Sequence, residues 1–309
     1  MKKITISIII ALIIGAGTYF VVQNSTNKTV VENKDNSLEE ETSNPDDKQN
    51  QEKVMEESEV KEPETETRIG TSVEDRDIVA YHYGTGDTEL LFIGGIHGGY
   101  SWNTSLVAYE LMDYLDENPD VIPENVKVTV VPVMNPDGLY KVAETDGRFK
   151  ASDIDSTIDT TSGRFNANNV DLNRNFDCDW QPKGTWQQKT VDAGSKVFSE
   201  PESQAIKNYV EKNQPTAVVA WYSSAGGVFA SNCHGEVMSE TKDLTNLFAK
   251  ASGYKAYEEF DFYEITGDMV NWLAKNDIPA ISVLLTTHKD TEWSKNKAGV
   301  EAILNHYSE

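Results

Sequence analysis

Two arginines ten residues apart, Arg164 and Arg174, stand among asparagines in the stretch 163–176, GRFNANNVDLNRNF. A guanidinium presents its N–H groups as a rigid fork that matches a carboxylate through two parallel hydrogen bonds, and Asn173 beside Arg174 can add a donor. Such a set could capture an acidic chain end. The same residues also make ordinary surface ion pairs, so the loop by itself supports both readings equally. Histidine is the other chemistry-bearing type, at His82, His97, His234, His288 and His306. His97 lies in GGIHGG, directly after an apolar run. Two cysteines, Cys178 and Cys233, are too few for a disulfide-built fold or a cysteine-built zinc knuckle.

The elements that must position these groups show in the hydrophobic pattern. Apolar runs bounded by turn residues alternate with amphipathic stretches, the pattern of an α/β domain with a mostly parallel or mixed sheet. Strands are expected at 90–93, 126–133, 217–221 and 281–285, and helices at 102–115, 200–212, 241–251, 268–275 and 292–306. Asn135-Pro136-Asp137-Gly138 reads as a turn. Chemistry in open α/β sheets collects at the carboxyl ends of strands. Four places qualify: His97 with its glycines, the loop 163–176, Tyr222-Ser223-Ser224, and Leu284-Leu285.

Composition divides the chain into 1–23, 24–68 and 69–309. Residues 4–22 carry no charge and follow Lys2-Lys3. As a helix they would reach about 28 Å, close to the hydrocarbon thickness of a bilayer. The basic start favours a cytoplasmic N-terminus and an exported domain. An uncleaved signal-anchor in the cell membrane is the expectation, with a cleaved signal peptide and a secreted domain as the alternative. Residues 24–68 hold 14 Asp and Glu against 6 Lys and Arg and no aromatic residue, so they read as a disordered tether. The formal charge of −24 repels phosphate backbones and argues against nucleic-acid binding. An oxidising compartment makes a Cys178–Cys233 bridge plausible.

GIHGG followed by Trp102-Asn103-Thr104, then VPVMNPDG, GRFNAN, VDLNRNF, FSEPES and YEITGD occur in an order that resembles the zinc carboxypeptidases of the carboxypeptidase A and E superfamily. The resemblance covers residues 75–306. It implies an α/β/α sandwich with a central mixed sheet and a funnel-like site for a chain's C-terminal residue. It also implies roles: Asn173 and Arg174 as clamp for the terminal carboxylate, Arg164 as the group that polarises the scissile carbonyl, and Tyr263 as the tyrosine that closes over the substrate. Asp268 would face the side-chain pocket and could favour a cationic side chain.

The metal half departs from the family. His97 matches the first zinc ligand, but aligning on Trp102 puts Ser101 at the position of the zinc glutamate, and counting three from His97 gives Tyr100. Tyr222 stands where the second zinc histidine belongs, and Leu284 where the general base belongs. Catalytic zinc needs about three protein ligands and an open vertex for water. One imidazole does not hold it, and Leu284 takes no proton. Rescue by His288 or His234 would require ligand distances near about 2 Å that a displaced histidine rarely meets.

The expected function is therefore a membrane-anchored, extracellular carboxypeptidase-like domain without catalysis and without a cofactor. Its partner would be a peptide with a free C-terminal carboxylate, such as a cell-wall stem peptide. The alternatives are an active metallocarboxypeptidase with an atypical zinc site and a non-catalytic protein-binding scaffold.

Overall fold

The computed structural model describes residues 65–308. The anchor expected at 1–23 and nearly all of the tether expected at 24–68 lie outside the described residues. The first strand, β1 (Glu66–Thr71), begins before the domain boundary at 69 that composition suggested. No helix among the described residues is long and apolar enough to cross a membrane.

Ten strands follow in the chain: β1, β2 (Asp77–Tyr83), β3 (Thr88–Ile93), β4 (Val126–Val131), β5 (Lys183–Trp186), β6 (Lys189–Asp192), β7 (Ala217–Ser223), β8 (Gly227–Ala230), β9 (Ala256–Tyr257) and β10 (Ala280–Leu285). Eight form one sheet in the order β1-β2-β4-β3-β7-β10-β8-β9, and β5 and β6 form a separate hairpin. The centre, β4-β3-β7-β10, is parallel, with antiparallel pairing at β1-β2, β2-β4 and β10-β8. The central strands are apolar nearly throughout because helices cover both faces. On one face Val219, Trp221, Ile281 and Val283 pack with α1 (Trp102–Glu117), α4 (Ser239–Ser252) and α6 (Trp293–His306). On the other, Ala220, Tyr222 and Leu284 pack with α3 (Pro201–Asn213) and α5 (Met269–Lys275). The expected three-layer sandwich with a mixed sheet is the fold.

The expected turn at 135–138 is instead the start of a helix, α2 (Pro136–Ala143). Asn135 caps it by accepting a hydrogen bond from Gly138 N at 2.8 Å, and Pro136 occupies the first helical position, where its missing N–H costs nothing. Trp221 is wholly buried, and its indole N–H donates to Asn296 Oδ1 at 3.0 Å, which ties β7 to α6. Cys178 and Cys233 are bonded, with 6.0 Å between their Cα atoms.

Candidate functional site

Parallel pairing sets Leu284 of β10 beside Tyr222 of β7, and side-chain alternation turns both to the same face. Beyond these strand ends opens a cleft of about 640 Å³. His97, which follows β3, reaches it, as do Arg164, Asn173 and Arg174 from the loop 163–176. Tyr263 and Asp268 line it from the segment between β9 and α5. The fold thus brings together residues far apart in the chain, His97 and Leu284 being separated by 187 positions.

Asp171 organises the guanidinium end. It is wholly buried, and its Oδ2 accepts from Arg164 Nε at 2.9 Å and Nη2 at 2.7 Å. Its Oδ1 caps the short turn Leu172–Arg174 by accepting from Asn173 N at 3.1 Å. Burial opposes ionisation of this carboxyl, but Arg164, His97 and Arg174 outweigh it and hold Asp171 well below the usual carboxylate range. The Arg164 guanidinium lies over the ring of Trp186, 4.5 Å from its centroid, on a hairpin that sequence patterning did not reveal. Both Nη1 hydrogens and one Nη2 hydrogen of Arg164 remain without a protein acceptor among the described residues.

Arg174 differs in its partners. It is 1% exposed, yet its Nε and Nη2 donate to Thr185 O at 3.2 and 2.7 Å, and its Nη1 donates to Asn173 O at 2.7 Å. Among the described residues its partners are backbone carbonyls, not carboxylates. Two further N–H groups of this buried cation stay open where it lines the cleft. Gly267 holds the loop in place: its N–H donates to Cys178 O, its carbonyl accepts from Phe176 N, and at φ +63 any side chain would collide with Arg174 O.

Asn173 and Asp268 are partly engaged with each other. Asn173 Nδ2 already donates to Asp268 Oδ2 at 2.7 Å, which leaves one amide hydrogen for a ligand. Asp268 lines the cleft, but its carboxylate also caps α5 by accepting from Asn271 N at 3.0 Å. Burial pushes its pKa up. A carboxyl so engaged is a poor selector for a cationic side chain. Tyr263 lines the cleft, packed edge-on against Phe260.

Beside Asp171, His97 is 5% exposed, and burial, then Arg164, pull its pKa down to about 4. Its Nε2 faces Asp171 Oδ1 at 3.4 Å, an electrostatic contact too long for a formed hydrogen bond. Its Nδ1 is buried without a partner. Ser101 is not the neighbour that the Trp102 alignment suggested: it is 1% exposed and lies outside the cleft lining, while Tyr100 lines it. The single 3-10 turn Gly98–Ser101 decides which of the two faces inward.

This donor set does not fit zinc. Tyr222 hydroxyl lies 3.4 Å from Asn173 Oδ1, and burial, then Asp268, push its phenol well above its ordinary value, so it offers no phenolate. Leu284 offers no donor atom. Among the described residues, one group of three or more metal-ligating types clusters closely, Cys178, Asp179 and Cys233, and its two sulfurs are joined to each other. Sequence reasoning overlooked Asp171 and Trp186. Asp171 could have been found, because an aspartate before a short turn is a capping signal.

Comparison with known proteins identifies the family and the fold. A zinc carboxypeptidase family model matches residues 51–292. Carboxypeptidase Z of Rattus norvegicus is 36% identical over 180 residues, covering 54% of this chain and 26% of its own. The carboxypeptidase N catalytic chain of Homo sapiens is 29% identical over 181 residues, covering 54% of this chain and 36% of its own. The match thus takes in well under two thirds of these relatives' length. Among solved structures, a murein-tripeptide amidase from Escherichia coli superposes with TM-score 0.54 at 20% identity, over 80% of this chain and 93% of that one. At such identity the likeness is one of fold.

Proposed function

Because the chain belongs to the zinc carboxypeptidase family, we propose that its domain grips the free C-terminal carboxylate of a peptide without hydrolysing it. The observation that carries this reading is Arg174: a buried guanidinium that lines the cleft, is held by carbonyls alone and keeps two N–H groups open. Asp171 and Asp268 offset its charge without touching it, and an anionic ligand supplies the missing hydrogen-bonded partner. Arg164 adds open donors nearby.

Absence of hydrolysis follows from the residue types at the other end. Without a metal, a water in the cleft keeps a pKa of about 16 rather than the about 7 of zinc-bound water, and His97 and His288, both pulled down to about 4, are weak bases toward it. Neither Leu284 nor the neutral phenol of Tyr222 deprotonates it. In the same reading the apolar run 4–22 anchors the protein in the cell membrane and 24–68 tethers the domain outside, a secreted form being the alternative. Cell-wall stem peptides suit that location, and a fold relative named for a murein tripeptide supports the choice.

Titration calorimetry with one peptide as free acid and as C-terminal amide tests the grip. The acid should bind about a hundredfold tighter, and equal affinities would end the carboxylate reading. One feature favours a residual metal site, the orphaned Nδ1 of His97. Elemental analysis of the purified protein separates the two: about one zinc per chain, with hydrolysis lost to a chelator, would establish an active enzyme instead.

A further inference from the structure

Asn103 is wholly buried, and two backbone carbonyls orient its amide: Nδ2 donates to Thr287 O at 2.7 Å and to Asp290 O at 2.9 Å. Both amide hydrogens are used, so Oδ1 points the other way and can only accept. Facing it at 3.1 Å is Ser223 Oγ, which also stands 2.9 Å from Nδ1 of His288. One hydroxyl has one proton to give. If Ser223 gave it to His288, the buried Asn103 oxygen would face a second oxygen with no hydrogen between them, an unpaired acceptor of the costly kind. If Ser223 gives it to Asn103, both contacts close once His288 Nδ1 carries a hydrogen and donates it to Ser223 Oγ. The proton count selects the Nδ1–H form and leaves the lone pair on Nε2.

That nitrogen has a place to act. His288 lines the cleft, with its ring 4.4 Å from that of Tyr100, and among the described residues no donor meets Nε2. Burial, then Arg164, pull its pKa down to about 4, so the ring is neutral near pH 7. Arg164 and Arg174 offer donors only. A peptide brings N–H groups as well as carboxylate and carbonyl oxygens, and an N–H taken into the cleft unpaired costs free energy.

We propose that Asn103 and Ser223 hold His288 as a fixed acceptor whose Nε2 receives a backbone amide N–H of the bound peptide. The assignment rests on the peptide-binding reading and adds to it a ligand-binding residue outside the arginine set. It explains why a histidine belongs beside Ser223 even where no metal is held.

Two measurements test it. Long-range proton–nitrogen correlation spectra of the free protein should show His288 protonated at Nδ1, and Ser223→Ala should shift it toward Nε2–H. Protonation at Nε2 in the unmodified protein would overturn the proposal. In the second, an acid-ended tripeptide is N-methylated at each backbone amide in turn. One methylation should weaken binding about five- to tenfold in the unmodified protein and have no further effect in His288→Leu. Equal losses in both proteins would overturn the assignment while the carboxylate grip stands. Failure of any acid-ended peptide to bind would remove the grip itself and the peptide role of His288 with it, whatever the tautomer.

Discussion

At the guanidinium end of the cleft, Asp171 takes two N–H groups of Arg164 while backbone carbonyls take three of Arg174, and the remaining donors meet no protein acceptor among the described residues. At the histidine end, His97 has an unpartnered nitrogen, Tyr222 a neutral phenol, and Leu284 nothing to give or accept. The same strands and loops position both ends, so geometry is not what separates them. Gripping an anion requires only oriented donors, which a buried loop can hold through its own backbone. Activating water requires a metal or a base, and no packing of phenol and alkyl groups replaces either.

Substitutions can break that contrast at its strongest point first. Asp171→Ala removes the counterion of a buried arginine and the cap of the turn that carries Asn173 and Arg174. It should cost about 3–5 kcal/mol in urea denaturation, as expected when one member of a buried pair is lost. A cost under about 1 kcal/mol would mean that Asp171 does not organise this end. Arg174→Met should show the reverse balance. No carboxylate hydrogen-bonds to it, although Asp171 and Asp268 lie in electrostatic range, so the melting temperature should fall less than in Asp171→Ala while affinity for an acid-ended peptide falls about a hundredfold. A variant that keeps its affinity would favour the scaffold alternative.

The smallest effect sharpens the contrast through pH. His97 has its pKa lowered to about 4 by burial and then Arg164, whereas burial raises Glu202, which accepts from Asn166 in the arginine loop at 3.1 Å, to about 7. Between pH 6.5 and 4 the unfolded histidine has taken a proton that the folded one refuses, so acidification destabilises. Between pH 7 and 4.5 the folded Glu202 holds a proton that the unfolded chain has released, so acidification stabilises. His288, also lowered to about 4, adds to the loss from His97, and Glu202 offsets part of it. Glu202→Gln removes the stabilising slope and should expose an acid-side loss on the order of 3 kcal/mol or less. Parallel profiles for both proteins would refute the assignment.

Much of this was legible in the chain. The runs that became β3, β4, β7 and β10 were short and apolar because both faces of the central sheet are covered. Arg164, Asn173 and Arg174 suit a carboxylate by type, but ordinary ion pairs equally, and only the family resemblance separated the two readings. What misled was local: Asn135-Pro136-Asp137-Gly138 carries turn chemistry and helix-start chemistry at once, and only packing chose the helix. The choice between Tyr100 and Ser101 turned on one residue of register in a 3-10 turn. Asp268 looked free to select a ligand because its partner Asn173 lies 95 positions earlier in the chain.

The order of residues alone determined which groups exist: two arginines and an asparagine suited to an anion, and a tyrosine and a leucine where a metal ligand and a base would have to be. The tertiary structure decided what each group has left to offer. Arg174 is open because its neighbours are carbonyls, Asp268 is closed because Asn173 and the α5 backbone reach it first, and His288 accepts because Asn103 fixes a proton two hydrogen bonds away. Hydrogen-bonding capacity belongs to a residue type, but how much remains unspent depends on which distant atoms folding brings within about 3 Å.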